Sequence, residues 1–231
     1  MKGIQASPKS AFTLIELLVV VAIIAILAGI LLPALGKAKA SARKVKCLAQ
    51  MREVAAAVNQ FAYDHKNRYP GLTDAGPTKL DYADLGGKGV NGTWSSRPNA
   101  SDRPLFRYIE TVDLFECPGD RGKGNAPNVF ENSGSSYFYA LDKNPIGLMG
   151  IESVENRKIA TITAASKKVI VFEPTLFKDS PGNDAQTKWH TDRKASVIGF
   201  SDGHAALTEE PDPRYNAPPQ DADERAGRDY Y

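Results

Sequence analysis

The chain has 231 residues, with 29 basic and 27 acidic side chains and a formal charge of +2. Without Lys2 and Lys9, near the N-terminus, 27 basic residues face 27 acidic ones. A chain so nearly neutral gives no electrostatic case for nucleic acid as its main partner. Beyond one membrane-length segment there is room for a single soluble domain of about 150 residues.

Residues 1–11 form a short polar leader that ends at Phe12-Thr13-Leu14-Ile15-Glu16. From Leu17 to Leu35 there follow 19 residues without a charge. At the rise of an α-helix they span about 28 Å, close to the thickness of a bilayer core. A cleaved secretory signal has a shorter apolar region, although Ala38-Lys39-Ala40 imitates its cleavage site. A plain single-span anchor explains the length and leaves Glu16 without a reason. An ionisable group at the start of a hydrocarbon-spanning helix is costly unless paired, so it points to function.

The segment resembles a type IV prepilin, and Phe12-Thr13-Leu14-Ile15-Glu16 is the string that carries the likeness. The resemblance implies cleavage between Ala11 and Phe12 on the cytoplasmic side, followed by N-methylation of Phe12. It also implies that Glu16 pairs with the Phe12 amine of a neighbouring subunit, offsetting the desolvation of both groups and setting axial register. Pro33, the twenty-second residue after the cut, stands where such helices commonly carry a kinking proline, with Gly29 ahead of it. Ala11 departs from the usual glycine before the cut. Charge alone would orient the chain the other way: two lysines precede the span, while Lys37, Lys39, Arg43, Lys44, Lys46 and Arg52 follow it. Because the leader must be cytoplasmic to be cut, the prepilin likeness places the remainder in the periplasm.

The helix is expected to continue past the membrane. From Ala38 to His65 there is no Pro or Gly, and Val45, Leu48, Met51, Ala55, Val58 and Ala62 recur at helical spacing. Lys44, Arg52, Glu53 and Asn59 fall largely off that stripe, and Asn67 and Pro70 end the helix. Its length is about 50 residues, or ~80 Å. Gly71 to Arg103 reads as loop with a short helix near Leu80–Leu85, and Leu105–Ile109 as a short helical or extended piece. Leu114–Pro118 reads as a strand end running into a turn, and Gly119–Ser133 as another loop. Ser135–Leu141 suits a strand, and Val169–Phe172, wholly apolar, suits a central one. The Pro-rich, charged tail from Glu209 is expected to be disordered.

Cys47 and Cys117 have no paired metal-binding spacing, so zinc is not expected. In an oxidising compartment they can form one disulfide, worth about 4 kcal/mol for a loop of this length, or they can remain free thiols.

His190, Asp192, Asp202 and His204 are the residues best suited to a metal, with two imidazoles and two carboxylates close in sequence. Structure explains most of them: Asp202-Gly203, between β-rich runs at Ala195–Ser201 and His204–Leu207, signals a two-residue type I′ hairpin. No Ser or Cys is paired with either histidine in a nucleophile motif, and no Gly-rich phosphate loop follows a strand. No cofactor and no catalysis are expected. This stretch resembles the C-terminal H-x-DG region of a large, planctomycete-type group of prepilin-like proteins. In that group nine residues separate the histidine from Asp-Gly; here eleven lie between His190 and Asp202. Tyr63–Pro70 and Cys117-Pro118-Gly119-Asp120 resemble segments of the same group, the second with Gly119 where serine is usual.

The sequence therefore predicts an α+β fold, a long N-terminal α-helix packed on a small antiparallel β-sheet. Its expected parts are a leader (1–11), a membrane helix (12–36), an amphipathic continuation (37–69), a periplasmic globular domain (70–208) and a tail (209–231). The expected function is that of a non-enzymatic pseudopilin of a type II secretion system. It would be inserted in the inner membrane as a single span, processed by prepilin peptidase, and polymerised with like subunits on an inner-membrane assembly platform. The alternatives are a surface type IV pilus subunit, a membrane-tethered metal-binding or enzymatic domain using the region from His190 to His204, and an anchored binding protein that keeps its leader.

Overall fold

The computed structural model describes residues 13–71, 81–92, 95–122, 128–141, 153–176, 189–190 and 195–209. The expected leader, most of the tail, Ala11, Phe12 and Asp192 lie outside the described residues. The chain divides into two compact units, 1–41 and 42–231.

The first unit is the opening of helix α1 (Leu14–Asp64). Its apolar side chains from Leu14 to Leu35 are all exposed, and the stretch is long and apolar enough to cross a membrane. Such a surface has no stable place in water, and its length suits a bilayer. Pro33 lies within the helix, where it removes one backbone donor.

The second unit begins with the remainder of α1, whose buried face is Cys47, Gln50, Met51, Val54, Ala55, Ala57, Val58, Phe61 and Ala62. The stripe therefore runs through Cys47, Val54 and Phe61 and omits Val45, which is 62% exposed. At 100° per residue Val45 is about 160° from Cys47 around the helix, so both cannot face one core. Lys66 and Asn67 both take left-handed backbone conformations (φ 59° and 57°) and turn the chain away after Asp64.

This face packs on a four-stranded sheet, β3 (Phe138–Tyr139), β4 (Val169–Phe172), β5 (Ala195–Phe200) and β6 (Ala205–Glu209), antiparallel throughout and in that spatial order. β4 is internal and wholly buried, as its unbroken apolar run implies. Gly199 on β5 lets the helix approach: a Cβ there would lie 3.1 Å from Met51 Cγ and 3.3 Å from Ala55 Cβ. Of the strand expected at Ser135–Leu141, Phe138–Tyr139 forms β3, and the Ala140 N–H adds a bond to Ile170 O of β4. Ser135 bends the chain before it, its hydroxyl donating to the Tyr137 carbonyl and accepting from the Tyr137 N–H.

The region between Gly71 and Arg103 differs most from expectation. No helix forms at Asp81–Leu85, because the carboxylates of Asp81 and Asp84 take local N–H groups into a turn. A small hairpin, β1 (Val90–Gly92) with β2 (Ser95–Arg97), occupies what reads as loop. Arg103 organises it from inside: 2% exposed, it donates to the carbonyls of Ala83, Gly86 and Ser133 and to Ser95 Oγ. Burial pushes the guanidinium down to about 10, which still leaves it charged at neutral pH. Pro104–Arg107 and Val112–Phe115 are single 3₁₀ turns, so the strand end expected at Leu114–Pro118 is absent. Within the loop expected at Gly119–Ser133 sits a short helix, α2 (Val129–Ser133). Asn128 caps its Glu131 N–H, and Gly134 closes it at φ 80°.

Candidate functional site

At the N-terminus of α1, Thr13 and Glu16 form a reciprocal cap. The Thr13 N–H and hydroxyl donate to Glu16 Oε2 at 2.9 and 2.7 Å, and the Glu16 N–H donates to Thr13 Oγ1 at 3.3 Å. Thr-x-x-Glu before an apolar run is the capping-box pattern, so Glu16 has a local role that its prepilin likeness does not mention. Both Thr13 donors reach one oxygen, and Glu16 Oε1 has no hydrogen-bond partner among the described residues.

Asp192 lies outside the described residues, and the other three metal candidates, His190, Asp202 and His204, do not form one site. His204 Nδ1 lies 2.6 Å from Asp202 Oδ1, and its ring stacks on Phe200 at 4.2 Å. Partial burial works to raise the Asp202 carboxyl, but the His204 N–H and ring outweigh it and hold it below the ordinary value. The pair belongs to the β5–β6 turn. That turn is a three-residue loop, not the expected type I′: the Gly203 N–H donates to Phe200 O, and the Phe200 N–H donates to His204 O. Gly203 takes φ 91°, whereas Asp202 stays out of the left-handed region, giving a type I turn closed by a glycine bulge. Beneath it, Tyr69 Oη is bonded to Ser201 Oγ (2.7 Å) and Asn59 Oδ1 (2.9 Å), and Asn59 Nδ2 donates to Ser201 O (2.9 Å). The turn is thus fastened to α1.

His190 goes elsewhere. Its Nε2 lies 2.9 Å from both carboxylate oxygens of Glu173 and 3.7 Å from Cys117 Sγ. Cys117 is joined to Cys47 by a disulfide, with the Cα atoms 5.4 Å apart and the two positions 70 apart in sequence. Cys47, Cys117, Glu173 and His190 are all buried, and their ligand atoms lie within 4.8 Å of one another. Asp202 and His204 are not in that group.

Each position follows from its element. Cys47 is on the buried face of α1, and Cys117 follows the 3₁₀ turn at Val112–Phe115. Glu173 directly follows β4, where Oε2 accepts the Val197 N–H of β5 (2.8 Å). Trp189 anchors His190 by burying its indole and donating to Gly122 O (3.1 Å). Asp120 shapes the adjoining loop by accepting from the N–H groups of Gly122, Val129 and Phe130 and from Ser136 Oγ. Sequence reading missed Glu173, the member of the cluster contributed by the end of an apolar strand. The available signal was a lone carboxylate directly after Val-Ile-Val-Phe, where solvent is excluded.

No curated protein and no solved structure matches the chain. Residues 7–32 match the prokaryotic N-terminal methylation motif, which covers the end of the leader, the expected cut and most of the apolar helix. That motif, together with an exposed apolar helix of membrane length, supports a membrane-anchored, prepilin-type subunit in general.

Proposed function

We propose that this chain is a pseudopilin of a type II secretion system, a structural subunit and not an enzyme. The observation that carries the reading is a methylation motif at residues 7–32 with one carboxylate, Glu16, ahead of 19 uncharged residues. Prepilin peptidase cuts between Ala11 and Phe12 and the new N-terminus is methylated. The globular domain then stands in the periplasm while the helix remains in the inner membrane. On an assembly platform, α1 enters a filament core made of like subunits, and growth of the filament pushes cargo outward.

Glu16 is suited to two tasks at once. Oε2 holds the cap with Thr13, which leaves Oε1 for the Phe12 amine of a neighbour. The pair excludes water from two charges that neither subunit can bury alone. The test is the mass of the N-terminal peptide from native membranes. A peptide beginning at Phe12 with about 14 Da of extra mass, one methyl group, is expected. An intact leader in cells with active prepilin peptidase overturns the reading.

A further inference from the structure

A disulfide needs neither an imidazole nor a carboxylate beside it, yet this one has both, fully buried. Placing a histidine and a glutamate out of water costs several kcal/mol before any interaction is counted. Their geometry gives a reason. In a tetrahedral zinc site, metal–ligand bonds of about 2.0–2.3 Å put neighbouring donor atoms roughly 3.3–3.8 Å apart. His190 Nε2 is 3.7 Å from Cys117 Sγ and 2.9 Å from each Glu173 oxygen. All four donors already lie within 4.8 Å, so once the sulfur–sulfur bond is cleaved the sulfurs need only part to about 3.8 Å.

We propose that Cys47, Cys117, Glu173 and His190 form a redox-exchangeable metal site. They are a disulfide when oxidised and a closed zinc-type site, with two sulfurs, one nitrogen and one oxygen, when reduced. The step balances simply. A dithiol or phosphine reductant supplies two electrons, two protons complete the thiols, and a divalent ion then displaces those protons to water. The shell around the donors suits thiolates: the Gly119 N–H already points at Cys117 Sγ (3.3 Å), and the Val197 N–H fixes Glu173. Metal binding at Nε2 puts the His190 ring proton on Nδ1, which has no hydrogen-bond partner among the described residues, so the metal bond must offset that unpaired N–H. Either state ties α1 to the loop at Cys117, so the connection survives loss of the disulfide.

Cobalt(II) titrated anaerobically into the reduced full-length chain in detergent tests this. The expected result is one equivalent bound, with a thiolate-to-cobalt charge-transfer band and the intense visible bands of a tetrahedral site. Zinc should displace the cobalt, and the oxidised chain should bind none. His190→Gln and Glu173→Gln, close in shape to the originals, should each weaken binding at least as much as the roughly 10–100-fold lost with an outer-shell partner. Circular dichroism follows the fold in every sample. Absence of the charge-transfer band in the reduced chain overturns the proposal, whether or not the fold is retained. So does affinity unchanged in both glutamine variants, because the thiolates would then be binding without the rest of the site.

Discussion

Reducing the Cys47–Cys117 bond in the presence of a chelator should destabilise the globular domain by about 4 kcal/mol. The figure follows from the closed loop: the bond joins positions 70 residues apart, and the chain-entropy relation for a loop of that size gives about 4 kcal/mol at 25 °C. Domains of this size have a total stability of about 5–15 kcal/mol, so the folded-to-unfolded ratio should fall about a thousandfold. Urea unfolding in detergent, followed by tryptophan fluorescence, reads the change, because Trp189 is buried beside the cluster and loses its bond to Gly122 O on unfolding. With a slope of about 2 kcal/mol per molar, the midpoint should drop by roughly 2 M. Repeating the reduction with zinc in place of chelator should restore most of the loss, because a metal closes the same loop. A chelated, reduced chain within 1 kcal/mol of the oxidised one would refute the cross-link argument, since the loop would then hardly constrain the unfolded state.

Glu16→Gln separates the two roles of that residue: an amide still fits the capping-box pattern with Thr13, so membrane insertion should be kept while filament assembly, seen by electron microscopy, is lost. Thr13→Val should cost the helix start about 0.5–2 kcal/mol while keeping the charge that the proposed register pairing needs. Tyr69→Phe removes the hydroxyl bonded to both Ser201 and Asn59, and should lower stability in urea by about 1–3 kcal/mol. For Asp202 the sign follows from a carboxyl held below its ordinary value of 3.8: its contribution to the β5–β6 turn is complete above that value and disappears as pH falls through the lower folded value. The stability difference between the wild-type chain and Asp202→Asn, measured across acid pH, should therefore shrink toward zero in that window.

What the sequence reveals follows the range of the interactions involved. The membrane-length helix, its amphipathic continuation and the β4 core strand rest on periodicity within one segment, and each of them is found in the structure. The β5–β6 hairpin is local too, but its loop length is not: Ser201 is held by Tyr69 and Asn59 from 132 and 142 residues away, and a third loop residue is needed to bring it there. Arg103 illustrates the opposite limit. Nothing near it in sequence announces a buried guanidinium with four acceptors, because those acceptors come from three separate segments. Val45 shows how a pattern can be misaligned: read as apolar spacing it belongs to the stripe, but the stripe is set by Cys47, whose partner is 70 residues away.

The same reasoning explains why nearness in sequence groups His190 with residues that the structure places apart from it. Proximity in sequence placed it with Asp202 and His204, which make their own pair at the turn. A better clue is Gly119, two residues after Cys117, because it meets His190 in space. A Cβ at position 119 would lie 2.8 Å from Trp189 O and 2.9 Å from the His190 ring, closer than real side chains come. Here, then, the glycine is what permits His190 to lie over the Cys117 loop. The imidazole that reaches Glu173 and the sulfurs does so through space left by the missing side chain. That cluster, more than the exposed Asp202–His204 turn, is where the described residues bring candidate metal-ligand atoms together.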